Sequence, residues 1–310
     1  MPFTNLAGNS RAASLATILK WKAGCHDEKR PPSPATGVPV PVAANDGRAL
    51  RKATSDALTW IGHASFLVQL GGRSALIDPV MSRTIAGGLV TRNVAPGLAW
   101  QALPPKIDLV LVTHNHRDHM DAPTLKRLGM DPVYVVPQGL GGWFERAGLR
   151  RVVEMAWWQR ERIEGVDVTF VPAEHWSRRG LFDINETWWG GYVLERGGLR
   201  VYHSGDTAWF DGFSLIGEKC GAIDAAMLPI GAYAPRWFMQ PQHMDPFDAV
   251  RAFAALGAAR FVAMHWGTFK LTDEDLLEPP QLLHEAWQRA DLAQGWLSVP
   301  AVGETLGFGD

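Results

Sequence analysis

The sequence predicts an α/β layered sandwich, with sheets inside and helices outside, and three observations carry that prediction. Short apolar runs of strand length outnumber helical patterns early in the chain, and the two alternate further on. No G-x-G-x-x-G leads from a strand into a helix, as a dinucleotide-binding fold would require. Along the chain, residues 9 to 23 suggest a short amphipathic helix with Leu15, Ile18, Leu19 and Trp21 on one side, expected to pack on the protein's own surface. Residues 30 to 47 are rich in proline and read as an extended connector. The expected division is therefore an N-terminal extension over 1–54 and one large domain over 55–310. Residues 58–70 and 73–77 flank Gly71-Gly72, the pattern of a hairpin. Residues 79–106 read as a long loop, of a kind usually functional or mobile. Strands are expected at 107–113, 132–136, 166–171, 187–194, 199–202, 223–228 and 261–264, with helices at 123–128 and 139–147. The clearest helix starts at Asp245 as N-cap with Pro246 behind it, turns Phe247, Val250, Phe253 and Ala254 to one face, and stops at Gly257.

Composition narrows the classes of function. In 310 residues, 30 Lys+Arg stand against 32 Asp+Glu, a net charge of −2, which removes the electrostatic basis for nucleic-acid binding. Cys25 and Cys220 are too few for a disulfide scaffold or a thiolate site, so any metal must be held by His and carboxylates. No stretch approaches the ~18 uninterrupted apolar residues of a membrane span. The short apolar run after Arg11 ends in Lys20 and Lys22 and offers no cleavage site, which speaks against a signal peptide. The expected location is cytoplasmic, with peripheral membrane contact left open, as is the oligomeric state. The one skew is 14 Trp against 4 Tyr, which suits core, ligand groove or membrane interface alike.

The chemistry concentrates in Thr113-His114-Asn115-His116-Arg117-Asp118-His119, directly after an apolar strand. Three imidazoles and a carboxylate crowded into one loop gain nothing from packing, and they are the donor types that suit Zn, Fe or Mn. Four donors exceed what one catalytic ion with an open position needs, so two ions are expected, with His114 and His116 sharing one and Asp118 and His119 reaching the other. Three later strand ends offer further donors: Glu174-His175-Trp176, Gly205-Asp206-Thr207 and His265-Trp266-Gly267.

H-x-H-x-D-H followed by a later His, a Gly-Asp-Thr and a terminal His resembles the metallo-β-lactamase superfamily. The resemblance implies a four-layer αββα sandwich with two divalent ions, zinc first and Mn or Fe as alternatives, between the sheet edges. It implies His114, His116 and His175 on one ion, Asp118, His119 and His265 on the other, and Asp206 between them, with Asp78 supporting a ligand His. Trp60-Ile61-Gly62-His63-Ala64, Glu174 to Arg179, Trp188 to Gly191, Pro229 to Tyr233 with Pro235 to Met239, and His265 to Phe269 are similar to the N-acylphosphatidylethanolamine-hydrolysing phospholipase D branch. That similarity covers roughly residues 55 to 285. Ala234 departs from it, where the branch leads one to expect an acidic residue.

The expected activity is hydrolysis of a small-molecule or lipid phosphodiester by a metal-bridging hydroxide. Asp118 or Asp206 would take the water's proton, and His243, just before the clearest helix, would donate a hydrogen bond or proton to the substrate or else cap that helix. His63 and His203 are expected to make structural hydrogen bonds, and His26 and His284 to be exposed. Arg178, Arg179 and Arg236 favour an anionic substrate unless Asp183, Glu186 or Asp211 claims them. Trp176, Trp188, Trp189, Trp209, Trp237 and Trp266 would wall an acyl chain or fill the core. The alternatives are a lactone or carboxylic-ester hydrolase and a non-catalytic, metal-stabilised binding protein.

Overall fold

The computed structural model describes residues 2–9, 12–51 and 55–308. Residue 10 and Arg11 of the expected N-terminal helix lie outside the described residues, as does the stretch just before the expected domain start. After two short helices, α1 (Leu15–Lys22) and α2 (Arg48–Arg51), the body begins with an antiparallel meander of β1 (Ala57–Gly62), β2 (Ser65–Leu70) and β3 (Arg73–Ile77). A small hairpin, β4 (Thr84–Ile85) and β5 (Val90–Thr91), interrupts the stretch expected as a long loop. Arg92 and Phe269 form a bridge, so this stretch is folded onto the body. Then β6 (Leu109–Leu111), β7 (Val133–Pro137) and β8 (Val152–Met155) run parallel beside β3, with α3 (Ala122–Leu128) and α4 (Gly141–Arg146) as crossovers.

The second sheet repeats the scheme. β9 (Arg160–Ile163), β10 (Val166–Val171), β11 (Gly191–Arg196) and β12 (Leu199–His203) are antiparallel neighbours. β13 (Ala225–Pro229), β14 (Phe261–Met264) and β15 (Leu297–Ser298) continue in parallel. The connecting helices are α5 (Gly212–Cys220), α6 (Arg236–Met239), α7 (Pro246–Leu256) and α8 (Glu278–Arg289). β16 (Thr305–Gly307) returns to the free edge of β1.

Side-chain alternation sorts the layers. Phe66, Val68 and Leu70 of β2 join the core between the sheets, with Trp60, Phe170 and Tyr202, while Leu67 faces the other way with Leu76, Val110 and Phe144. Phe213 of α5, Val250 and Phe253 of α7 and Trp287 of α8 close the far side of the second sheet. The result is the expected four-layer sandwich. The helix 246–256 and the strands 166–171 and 261–264 stand at the expected residues. The strand expected at 187–194 begins at Gly191, because Gly190 passes so close to Val171 that a Cβ there would stand 2.3 Å from its carbonyl oxygen.

The proline-rich connector is strapped to the body. Asn93 exchanges hydrogen bonds with the Val38 backbone, Ala43 N–H donates to Val302 O, and Arg30 pairs with Glu278 at 2.6 Å. Of the side expected for α1, Ile18 is half-buried and Leu19 is 59% exposed. Among the described residues, no helix is long and apolar enough to cross a membrane.

Candidate metal centre

Every candidate ligand follows the C-terminal end of a strand: Asp78 after β3, His114 to His119 after β6, His175 after β10, Asp206 after β12 and His265 after β14. Parallel neighbours put their C-terminal ends on one edge, so residues far apart in sequence meet on one rim. Tight backbone makes the approach possible. Gly205 has φ +63°, and a Cβ there would stand 2.6 Å from Gly190 O.

Two groups of donors result. His114, His116, His175 and Asp206 form one; His63, Asp118, His119 and His265 form the other; within each, the ligand atoms lie within 4.8 Å of one another. Asp206 touches both. Its Oδ2 is 3.9 Å from Nε2 of His114 and of His175 and 3.1 Å from Nε2 of His119, and its Oδ1 is 3.1 Å from Nε2 of His265.

The surrounding hydrogen bonds decide which ring nitrogen is free. His175 Nδ1 donates to Gln242 O at 2.9 Å, and His119 Nδ1 lies 2.7 Å from Asp78 Oδ2. Each ring is therefore held with Nε2 toward the centre, as a metal ligand requires. Asp78 also accepts from the Thr113 N–H and Oγ1–H. Nε2 of His114 and of His175 stand 2.8 and 3.2 Å from His116 Nδ1, and His116 Nε2 is buried without a partner. Lone pairs converging in a buried space are costly unless a cation takes them up, so the residues present fit a bound metal.

Burial and the nearby acids set the charge of each ring, and burial prevails at His63 of the second group, lowering it to about 3. Burial lowers His116 to about 3 and His175 to about 4, and holds His114 well below the usual imidazole range. Burial also opposes charge on His119 and His265, but Asp206 and Asp118 outweigh it, lifting His265 to about 9 and His119 well above its ordinary value. Asp118 and Asp206, which burial alone would raise, are held well below the carboxylate range by these imidazoles.

A cavity of about 430 Å³ opens on the centre. Its walls include His116, Asp118, Asp206, His243, Trp176, Arg117, Arg178 and Arg179. His243 stands with its ring 5.1 Å from that of His175 and its Nδ1 buried without a partner. It does not cap α7; Asp245 does, accepting from the Asp248 N–H. Burial holds the His243 ring well below its usual pKa, so it is neutral near pH 7.

Not every expected residue reaches this cavity. Arg236 is bound to Asp245 and Asp248 at 3.2 and 2.6 Å, acids other than those expected to compete for it. Arg179 braces the histidine loop by donating to Asn115 O and Met120 O. Of the six tryptophans only Trp176 lines the pocket. Trp189 and Trp266 are buried, and Trp188 packs on Trp157 and Phe3. His203 makes the structural hydrogen bond expected of it, to Ala64 O, and His284 is exposed, but His26 is half-buried against Trp237.

His63 makes the hydrogen bond expected of it, with Nε2 3.1 Å from Asp118 Oδ2, and so also joins the second group. Sequence reasoning missed three contributors. Arg117 sits inside the histidine motif yet lines the pocket. Asn5 accepts from the His175 N–H and from Trp189 Nε1, and Trp21 lines the cavity. None of the three had a spacing that marked it.

A sequence profile of the Beta-lactamase superfamily domain matches residues 73–266. The chain belongs to that superfamily. It is 37% identical over 266 residues to the N-acyl-phosphatidylethanolamine-hydrolyzing phospholipase D 1 of Caenorhabditis elegans, covering 79% of this chain and 74% of that protein. It is 33% identical over 240 residues to the mitochondrial N-acyl-phosphatidylethanolamine-hydrolyzing phospholipase D of Saccharomyces cerevisiae, covering 73% of this chain and 50% of that protein. Among solved structures it is similar to Igni18, a metallo hydrolase of Ignicoccus hospitalis, with a TM-score of 0.60 and 25% identity over 83% of this chain and all of that one. The superfamily's metal-dependent hydrolase fold is thus present here, with His and Asp groups able to hold metal.

Proposed function

We propose that the protein is a binuclear metal-dependent phosphodiesterase acting on lipid phosphodiesters of the N-acylphosphatidylethanolamine type, with residues 55–310 as the hydrolase domain and 1–54 as an extension that contributes to its pocket. The observation that carries this reading is Asp206, whose carboxylate reaches both donor groups at the base of a cavity with arginines in its wall. His114, His116 and His175 would hold one ion, Asp118, His119 and His265 the other, and Asp206 would contribute to both. Zinc suits this nitrogen and oxygen donor set first, with Mn or Fe as alternatives. Bound divalent ions would lower the pKa of a water and polarise a phosphoryl oxygen.

The chain's own residues do the rest. Asp118 and Asp206 line the cavity beside both donor groups and can accept a proton there. His243, neutral and with an unpartnered Nδ1, offers a hydrogen bond to the substrate from the cavity wall. Arg178 and Arg117 face the same cavity and bind an anionic diester.

The test is metal content measured beside hydrolysis of N-acylphosphatidylethanolamine, a soluble phosphodiester and a lactone. Two ions per chain and diester turnover are expected. A lactone preferred by a hundredfold in kcat/KM, about 2.7 kcal/mol, would replace the reading with an ester hydrolase. Bound metal without turnover of any of the three would leave a binding protein.

A further inference from the structure

The cavity over the metal centre has a wall that comes from outside the superfamily match. Ala13, Ile18 and Trp21 line it together with His116, Asp118 and Asp206, although the profile match begins only at residue 73. Trp21 is fixed in place. Its Nε1 donates to Asp273 Oδ2 at 2.8 Å, and its ring stacks on Phe238 at 4.9 Å. With Met239 and Leu271, these side chains make a continuous apolar stretch of wall, while Arg117, Arg178 and Arg179 make a cationic one. An indole and its aliphatic neighbours facing an open cleft gain stability only when something apolar covers them. The cleft they line also reaches His116, Asp118 and Asp206, so an apolar chain attached to a group held at the metal centre can cover them.

We propose that α1 forms an acyl-binding subsite, in which Ile18, Trp21, Phe238, Met239 and Leu271 seat one unbranched apolar chain of a substrate whose phosphate is held by Arg178 over the metal centre. The inference rests on the reading of the site as a phosphodiesterase and deepens it. The extension is then part of the specificity machinery of the hydrolase, with Trp21 setting how much of the chain is covered.

The test reads binding and turnover separately. Dodecyl phosphate, below its micelle-forming concentration, and methyl phosphate are titrated calorimetrically into the zinc-loaded protein. Alkyl 4-nitrophenyl phosphodiesters from methyl to dodecyl are assayed in parallel. Dodecyl phosphate is expected to bind at least a hundredfold tighter than methyl phosphate, the equivalent of three to four buried methylenes at about fourfold each. Trp21→Ala should lower that ratio at least tenfold, and Trp21→Phe should keep most of it. Should Trp21→Ala fail to fold, Ile18→Trp reads the same ratio by narrowing the groove and should lower it too. A ratio near one in the wild type, or one that neither Trp21→Ala nor Ile18→Trp changes, overturns the subsite. A Trp21-dependent ratio with no diester turned over at any length keeps the subsite and retires the phosphodiesterase. Diesters turned over equally well at every length do the reverse.

Discussion

His114, His116 and His175 on one side of Asp206, and His119 and His265 on the other, are imidazoles of one centre, yet different forces set their charge. In the first group burial prevails, and His116 and His175 fall to about 3 and 4. In the second, Asp118 and Asp206 overcome burial and hold His265 at about 9. The difference lies in how close the carboxylates come: Asp206 stands 3.9 Å from His114 and His175, whereas Asp78, Asp206 and Asp118 lie 2.7, 3.1 and 3.7 Å from His119. Without metal, the first group presents neutral lone pairs to an incoming cation, whereas the second holds His119 and His265 as imidazolium ions paired with acids, beside a His63 that burial lowers to about 3. One donor chemistry thus produces a site ready for a cation and a site that must first give up protons.

The largest effect should come from removing the residue common to both groups. Asp206→Ala is expected to lower bound metal to one ion or fewer per chain and turnover by about a thousandfold or more, as for several kcal/mol of lost stabilisation. Asp118→Ala should spare the first ion. Elemental analysis of the two variants decides it, and two ions retained in Asp206→Ala would dissolve the idea of a shared carboxylate.

A second expectation concerns pH. The second group binds a cation only by displacing protons, so its affinity should rise about tenfold per pH unit for each proton displaced and level off above pH 9 for His265. The first group, neutral above about pH 4, should bind with no such slope near pH 7. Calorimetric metal titration of stripped protein in buffers of different ionisation enthalpy measures the protons released at each step. Equal release at both steps would break the distinction.

Asp78→Ala sharpens it at one position. Losing the partner of His119 Nδ1 should weaken the second ion about 10- to 100-fold while leaving the first nearly unchanged, as read by competition with a chelator. The smallest effect is expected for Asn5→Ala on the side of the first group. It leaves the buried His175 N–H without its acceptor, which should cost about 1–3 kcal/mol of unfolding free energy in chemical denaturation. An unchanged midpoint would mean that the N-terminal residues do not support His175.

How much of this was legible before folding depends on how local each signal is. The helix 246–256 carried its N-cap, its Pro and its stop within a dozen residues, and it stands where expected. α8 was passed over, since Pro279 and Pro280 at its start read as a break although they occupy its first turn. β8 and β9 were also missed; their half-exposed residues carry little apolar signal. The histidine motif was visible because its donors crowd into seven residues. Its later donors could be singled out because each ends a strand-like run. Arg236 and the tryptophans were harder, since the same residue types serve ion pairs, core and pocket. Sequence order says nothing of which acid or which ring is nearby.

By itself, then, the sequence determined the layered α/β architecture, the imidazole and carboxylate donors at the strand ends, and the absence of a thiolate alternative. These follow from side-chain period and residue type, which act over a few residues. Tertiary structure alone decided that His63 joins Asp118, that Asn5 supports His175, that Arg178 and not Arg236 faces the cavity, and that Trp21 walls it. Each is a contact between segments tens to hundreds of residues apart, made when two sheets close on one core. The charge on His119 and His265 belongs with them, since it depends on burial and on Asp206, and for His265 on Asp118, which only the closed sandwich brings within 4 Å.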